Sequence, residues 1–208
     1  YVTGTHDNQE HLGNSITTTS GSTILKKGNI GRIKSLNGLI ADNRHLVETS
    51  DIIALMVLEH QIHIQNLLVR LHWEASNNSD PEHMSENVLI AAENLVEGML
   101  LVGEAPITGP LKGNLQFQRN FETEGPYDRK MRSLRQLDLE TRLFRYPFSY
   151  MIYSQNFESL TEAVRHHFFR RIWEVLTGID RSKSFDHLSS ADRSAILEIL
   201  RSTKTDFR

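Results

Sequence analysis

The pattern of hydrophobic and polar positions predicts a long helix that begins near residue 50. Ser50 is a suitable N-cap, Asp51 suits a first helical turn, and no Gly or Pro interrupts the sequence from there until Pro81. We therefore predict a helix over about 51–74. Apolar residues occupy almost every side of its first half, which predicts that this half is buried on most sides.

Four further helices are indicated by capping residues that precede apolar stripes at helical spacing. Gly and Pro mark where these helices should end, because neither residue continues a helix readily. The segments run from Pro81 to about Leu101, from Ser133 to before Pro147, from Ser159 to Gly178 and from Ser189 onward, with a short extra helix starting at Pro147.

The remaining segments are predicted to lack long regular elements. Residues 1–49 are rich in Thr, Ser, Gly and Asn without a helical period, which indicates an extended arm ahead of a helical domain over 50–208. Gly and Pro recur through 103–130, which predicts a long loop of the kind that often carries function. The fold class is therefore mostly α: an irregular helical bundle of about five helices with an extended N-terminal arm and a long 103–130 loop.

Composition excludes several classes of protein. The chain has 208 residues with 26 acidic and 23 basic side chains, and this net negative charge argues against a nucleic-acid partner. It has no Cys, which excludes disulfides, thiolate metal sites and covalently attached c-type haem in this chain. The longest uninterrupted apolar run, 52–58, is too short for a membrane span. The chain opens at Tyr1 without a leader pattern, from which we expect a processed or trimmed start.

One polar cluster interrupts the first predicted helix. Glu59, His60 and His63 lie among apolar neighbours three and four residues away on either side. A buried carboxylate needs a partner, so Glu59 is expected to accept a hydrogen bond from His63 or from an Arg of another helix. The same three residues could ligate a metal, or the histidines could bind haem. The simpler interpretation is a satisfied structural network.

Two other clusters admit a functional interpretation. His166, on the predicted 159–178 helix, could add a second imidazole to the first cluster and so complete a cofactor-binding set with His60 and His63. The alternative is that His166 bridges core and solvent at a helix edge. The basic run at 129–145 could bind phosphate, but Asp138 and Glu140 interrupt it, which favours solvated arginines paired with acidic residues.

Four stretches of this sequence resemble an uncharacterised family, a region of bacterial secreted proteins. They are SDIIALMVLEHQ at 50–61, RLFRYPFSYMIYS at 142–154, RIWEVL at 171–176 and AILEILRSTK at 195–204. Longer members of that family join a similar region to a c-type haem domain. The resemblance therefore implies a periplasmic or secreted location and a part in electron transfer. This chain departs from the family in having no haem-attachment motif and in carrying Phe148 where a Cys is expected.

Together these observations predict a non-catalytic helical subunit or accessory domain of a bacterial extracytoplasmic, cytochrome-associated redox assembly. We expect no enzymatic activity, no cofactor in the chain itself, and a protein partner that is a c-type cytochrome. The 103–130 loop and the N-terminal arm are the expected contact surfaces. Two alternatives stay open: non-covalent haem or metal binding through His60, His63 and His166, and a small-molecule hydrolase that uses Glu59 with a histidine.

Overall fold

A computed structural model describes residues 2–6, 16–17, 23–24, 36, 50–78 and 83–207. Over these residues the protein is mostly helical, which confirms the predicted fold class. Six α-helices and two 3₁₀ turns occur in this part of the chain. They are α1 (Ile52–Ser76), α2 (Glu86–Met99), α3 (Leu115–Thr123), α4 (Gln155–Glu158), α5 (Glu162–Leu176) and α6 (Ser190–Thr203), with the turns at Tyr150–Tyr153 and Lys183–Phe185.

Strands are confined to two short antiparallel pairs within the described residues. Strand β1 (Thr5–His6) pairs with β4 (Leu111–Lys112), and β2 (Ile16–Thr17) pairs with β3 (Thr23–Ile24). Most of the predicted arm, as well as the predicted helix start at Pro81, lies outside the described residues. The predicted 103–130 loop contains β4 and α3, so part of it is regular structure.

The chain divides into two compact units. The first contains Tyr1–Glu59, Ala105–Thr123 and Leu137–Leu143, and the second contains His60–Glu104, Glu124–Gln136 and Phe144–Arg208. Helix α1 begins in the first unit and ends in the second. The predicted boundary between residues 49 and 50 is a different division and stays a prediction.

Asp51 organises the described part of the first unit. Its Oδ2 accepts a hydrogen bond from the Ala54 N–H at 3.1 Å, so Asp51 caps α1, and the predicted cap, Ser50, is wrong by one residue. Its Oδ1 accepts the Asn114 N–H at 2.6 Å. A Cβ on Gly113 would lie 2.2 Å from that same oxygen, so only glycine allows this approach.

The core of the second unit is built around α5. Its predicted stripe is buried and includes Val164, Phe168 and Ile172. The α5 N-cap is Thr161, two residues after the predicted Ser159, whereas α6 starts after Ser189 as predicted, with a capping box between Ser189 and Asp192. Both outcomes follow from the same rule, since in each case a hydroxyl satisfies a free N–H of the first turn.

Arg171 clamps α5 to α2 through several carboxylates. Its Nε and Nη2 donate to the two carboxylate oxygens of Glu93 on α2 at 2.9 and 2.8 Å, and Nη2 also donates to Asp180 at 2.7 Å. These hydrogen bonds raise the pKa of Arg171, and those that it donates to Glu93 have the largest effect. The hydrogen bond from Arg171 is the main cause that lowers the pKa of Asp180 below its ordinary value.

The predicted helix between Ser133 and Pro147 is wrong. The Ser133 N–H does donate to the Gln136 side chain at 3.2 Å, but only turns follow. Asp138 explains the difference, because its carboxylate accepts the backbone N–H groups of Glu140 at 2.9 Å and Thr141 at 3.1 Å. Such local bonds compete with helix formation. The extra helix predicted from Pro147 begins later, as the 3₁₀ turn capped by Ser149.

Replacing Arg171 by Gln should destabilise the protein by about 2 kcal/mol at neutral pH, because the carboxylates of Glu93, Glu174 and Asp180 lose their shared cation. Asp180 has a depressed folded-state pKa, so its contribution is present above the unfolded pKa and is lost as pH falls through the folded value. The loss of unfolding free energy caused by Arg171→Gln should therefore become smaller as the pH falls toward ~3. Urea denaturation at both pH values measures it, with Arg181→Gln as the control at an exposed position. An equal penalty at both pH values would contradict the proposed linkage.

Candidate functional site

His60 lies at the centre of a buried hydrogen-bond chain in the second unit. Its Nδ1 is 2.8 Å from Oε1 of Glu104, which follows α2, and its Nε2 is 2.7 Å from Oγ of Ser149, which caps the 3₁₀ turn. The His60 side chain is 2% exposed and the Glu104 side chain 37% exposed, whereas Ser149 is 0% exposed. We call Ser149, His60 and Glu104 the His60 relay.

The hydrogen-bond partners favour one direction of the His60 relay. Ser149 Oγ accepts the N–H of Met151 at 3.2 Å, so its own hydrogen is free to donate to Nε2 of His60. Nε2 is then the acceptor nitrogen, and Nδ1–H donates to the Glu104 carboxylate. Each polar group of the relay has a partner in this arrangement, as the burial of an imidazole requires.

Aromatic rings enclose the relay. Phe144 meets the imidazole edge-on at a centroid distance of 4.9 Å, and Tyr150 lies 6.2 Å away. The guanidinium of Arg135 lies 4.5 Å from the centroid of Tyr150, and the phenol donates to Oε1 of Gln61 at 3.2 Å. Burial raises the pKa of Tyr150, so the phenol stays protonated as a donor at neutral pH.

The other members of the predicted polar cluster do not share this environment. Glu59 and His63 are exposed, so the expectation that Glu59 is buried and paired with His63 is wrong. The apolar run around α1 led to that expectation, but α1 leaves several apolar side chains in solvent instead of burying all its sides. Of the three residues, only His60 is buried.

A metal or cofactor role for these residues stays a prediction. The described part of the chain shows no group of three His, Asp or Glu side chains arranged to hold a metal ion. Both ring nitrogens of His60 already have protein partners, so haem iron or a metal would have to displace Glu104 or Ser149. His63 is exposed, and His166 lies on α5 in a different setting.

Sequence reasoning missed Glu104 and Ser149. Ser149 lies in the 142–154 stretch that carries the family resemblance, and Glu104 lies just inside the predicted loop, but neither has a local spacing that points to His60. Ser149 is 89 residues and Glu104 is 44 residues from His60 in the sequence, and both meet His60 only in the folded chain. The one available signal was that a histidine among apolar neighbours needs partners.

His166 lines an open groove along α5, which we call the aromatic groove. Its inner part has a volume of about 330 Å³. The rings of Phe169 and Phe207 pack 5.5 Å apart, and Trp173 lies 6.4 Å from Phe207. The groove is thus apolar at its base. Its other lining residues are Arg170, Arg201 and Asp206.

Helix α1 also presents an apolar surface to solvent. In the second unit Ile62, Val69 and Trp73 are 51%, 54% and 57% exposed. Their spacing of seven and four residues places them on one side of the helix. On α2, Leu89 and Ile90 are exposed as well. We call the surface formed by Ile62, Val69 and Trp73 on one side of α1 the hairpin face.

Helices α1 and α2 approach each other closely at Gly98. A Cβ built there would lie 2.5 Å from Cδ1 of Leu67 and 3.2 Å from Cδ1 of Ile64, so the glycine lets α2 come near α1. Helix α1 is also long and apolar enough to cross a membrane, since it has 25 residues and an 18-residue window with a mean hydropathy of 1.4. Of that window, 28% is buried within the protein. The absence of a membrane span thus stays a prediction.

Comparison with protein-family models, curated proteins and solved structures finds no match for this chain. A function for the molecule has to be inferred from the His60 relay, the aromatic groove and the hairpin face.

Replacing Ser149 by Ala should destabilise the protein by about 2 kcal/mol, because Nε2 of His60 and the Met151 N–H both lose a buried partner. Ser154→Ala is the matched control, since Ser154 caps α4 without contacting a histidine and should cost only about 1 kcal/mol. Thermal and urea unfolding measure both. Equal losses in the two variants would show that the His60–Ser149 hydrogen bond adds nothing.

Proposed function

We propose that this chain is a non-catalytic helical subunit that binds a protein partner through its hairpin face. We further propose that the partner belongs to a bacterial extracytoplasmic, cytochrome-associated redox assembly. The protein-binding role is supported by the exposed apolar side chains of α1 and α2. The redox setting and the periplasmic or secreted location are supported by the family resemblance alone.

The observation that carries the proposal is the apolar character of the hairpin face. A single exposed apolar side chain is ordinary, but Ile62, Val69 and Trp73 follow one side of one helix. Exposed apolar groups that line up and have polar neighbours are typical of interaction surfaces. Covering them with a partner would remove this apolar area from water and so favour association.

The side chains around the hairpin face favour a protein over a lipid partner. Gln61, Asn66 and Arg70 are exposed on the same helix, and transferring their polar side chains from water into hydrocarbon would be costly. A protein surface can supply such partners at the polar rim of an interface. Arg70 also lies over the ring of Trp73 at 5.3 Å, and Trp and Arg are the residue types that dominate binding energy at interfaces.

In this proposal the haem belongs to the partner. A c-type haem needs two cysteines for its attachment, and this chain has none. The role of the chain would then be to hold or orient the cytochrome.

Purification from the native source should yield this chain together with a c-type cytochrome, visible as a Soret band in the same gel-filtration peak. Val69→Asp should release the cytochrome, because it places a charge within the apolar contact. Leu115→Asp on α3 is the matched control, since Leu115 is also an exposed apolar residue but lies outside the hairpin face and should leave the complex intact.

Two results would contradict the proposal. One is elution of the chain as a lone colourless monomer. The other is a Val69→Asp variant that keeps its cytochrome while its unfolding curve matches that of the wild-type protein.

A second candidate, a hydrolase, is favoured by the geometry of the His60 relay. The imidazole of His60 has a hydroxyl at Nε2 and a carboxylate at Nδ1, which is how the residues of a Ser-His-acid triad are connected. The acid is Glu104, whereas the sequence predicted Glu59. The exposure is the reverse of what such an enzyme needs, because Ser149 is fully buried and the carboxylate of Glu104 faces solvent. Activity would require the segment around Ser149 to open toward a substrate.

Incubation with a fluorophosphonate separates the two candidates, because this reagent labels only activated serine hydroxyls. A non-catalytic protein should show no added mass after prolonged incubation. If mass spectrometry finds one adduct that disappears in Ser149→Ala, the hydrolase is correct and the non-catalytic proposal is wrong. Ser154→Ala is the control for labelling at a neighbouring hydroxyl.

A further inference from the structure

The aromatic groove along α5 has the features of a small-molecule site. We propose that it binds a planar aromatic carboxylate, with the ring against Trp173 and the carboxylate held by Arg170 and Arg201. This proposal is independent of the hairpin face and of the His60 relay. It rests on the shape of the groove, on its apolar base and on the charges at its edge.

The size of the groove suits such a ligand. Its inner part has a volume of about 330 Å³, which lies within the range of about 300–1,000 Å³ found for ligand pockets. The groove continues into a wider part that reaches Glu162 and Thr205. A fused two-ring carboxylate therefore fits the inner part without filling the whole groove.

The base of the groove can stack a ring. Phe169 and Phe207 are buried, and their ring centroids lie 5.5 Å apart. Trp173 is only half-buried, so part of its indole remains accessible beside them. A flat apolar ring placed there would cover aromatic surface that is now open to water.

The edge of the groove carries two guanidinium groups that can take an anion. Arg201 lies 4.9 Å from the centroid of the Trp173 ring, and Arg170 donates to Nδ1 of His167 at 3.0 Å. Among the described residues neither group has a carboxylate within ion-pair distance. Asp206, the acid of the inner groove, lies 3.4 Å from Arg165 instead.

His167 lies beside Arg170 at this edge of the groove. Burial lowers the pKa of His167, and the nearby Arg170 lowers it further. An imidazole that resists protonation beside a guanidinium leaves Arg170 as the local cation. A guanidinium can bind a carboxylate with two parallel, charge-assisted hydrogen bonds. An aromatic ligand that carries a carboxylate should therefore bind here more tightly than an uncharged ligand with the same ring.

The test uses the full chain carrying Trp73→Phe, which leaves Trp173 as the one tryptophan, since the sequence has two. Its single indole N–H signal in a ¹H–¹⁵N spectrum then reports on the groove directly. We expect 2-naphthoate to shift this signal saturably, with calorimetry giving the dissociation constant. The neutral 2-naphthamide and the cation 2-naphthylmethylamine have the same ring and should bind at least about tenfold more weakly.

The double variant Arg170→Gln/Arg201→Gln should lose at least about tenfold in naphthoate affinity, while Arg119→Gln/Arg129→Gln, at exposed sites elsewhere, should not. Far-UV circular dichroism and thermal unfolding check that both variants fold. The proposal is overturned if naphthoate gives no saturable shift up to about 1 mM, if the amide binds as tightly, or if the groove variant keeps its affinity.

Discussion

An imidazole in the interior of a protein is tolerated only when both of its nitrogens have partners, and this constraint shapes the second unit around His60. One nitrogen receives the hydroxyl of Ser149, and the other donates to Glu104. Three segments distant in sequence therefore meet at one ring: α1, the residues after α2, and the 3₁₀ turn at Tyr150–Tyr153. The Ser149 N–H, which donates to the Met99 carbonyl at 2.8 Å, ties the turn to α2 as well.

Helix α1 has apolar residues both on the side that packs in the core and on the side that faces solvent, so its composition alone does not distinguish the two sides. Its inner side buries Ile64, Leu68 and Leu71, whereas its outer side exposes apolar residues of similar size. A helix that is apolar on most sides gains little from burying only one of them. The uncovered side is what makes a binding partner the simplest functional inference, and it lies apart from the aromatic groove, whose lining comes from α5 and α6 with the residues after it.

The sequence predicted the helices that capping residues and apolar stripes define, and it failed where a side chain forms a local turn or where tertiary contacts decide. The stripe of α5 and the start of α6 at Ser189 depend on residues close in sequence, and both predictions are confirmed. The helix expected after Ser133 failed because the side chain of Asp138 bends the chain first. In the candidate site, His60 could be named from its apolar neighbours, but Glu104 and Ser149 could not, because no local pattern links them to α1.

The protonation state of His60 tests the central claim most directly. A long-range ¹H–¹⁵N correlation spectrum of the imidazoles distinguishes the two neutral tautomers, and the spectrum of His60→Ala assigns the signal. We expect the tautomer with its proton on Nδ1, which leaves Nε2 as the acceptor for the Ser149 hydroxyl. A His60 ring with its proton on Nε2, or one with the averaged signals of a solvent-exposed histidine, would contradict the account.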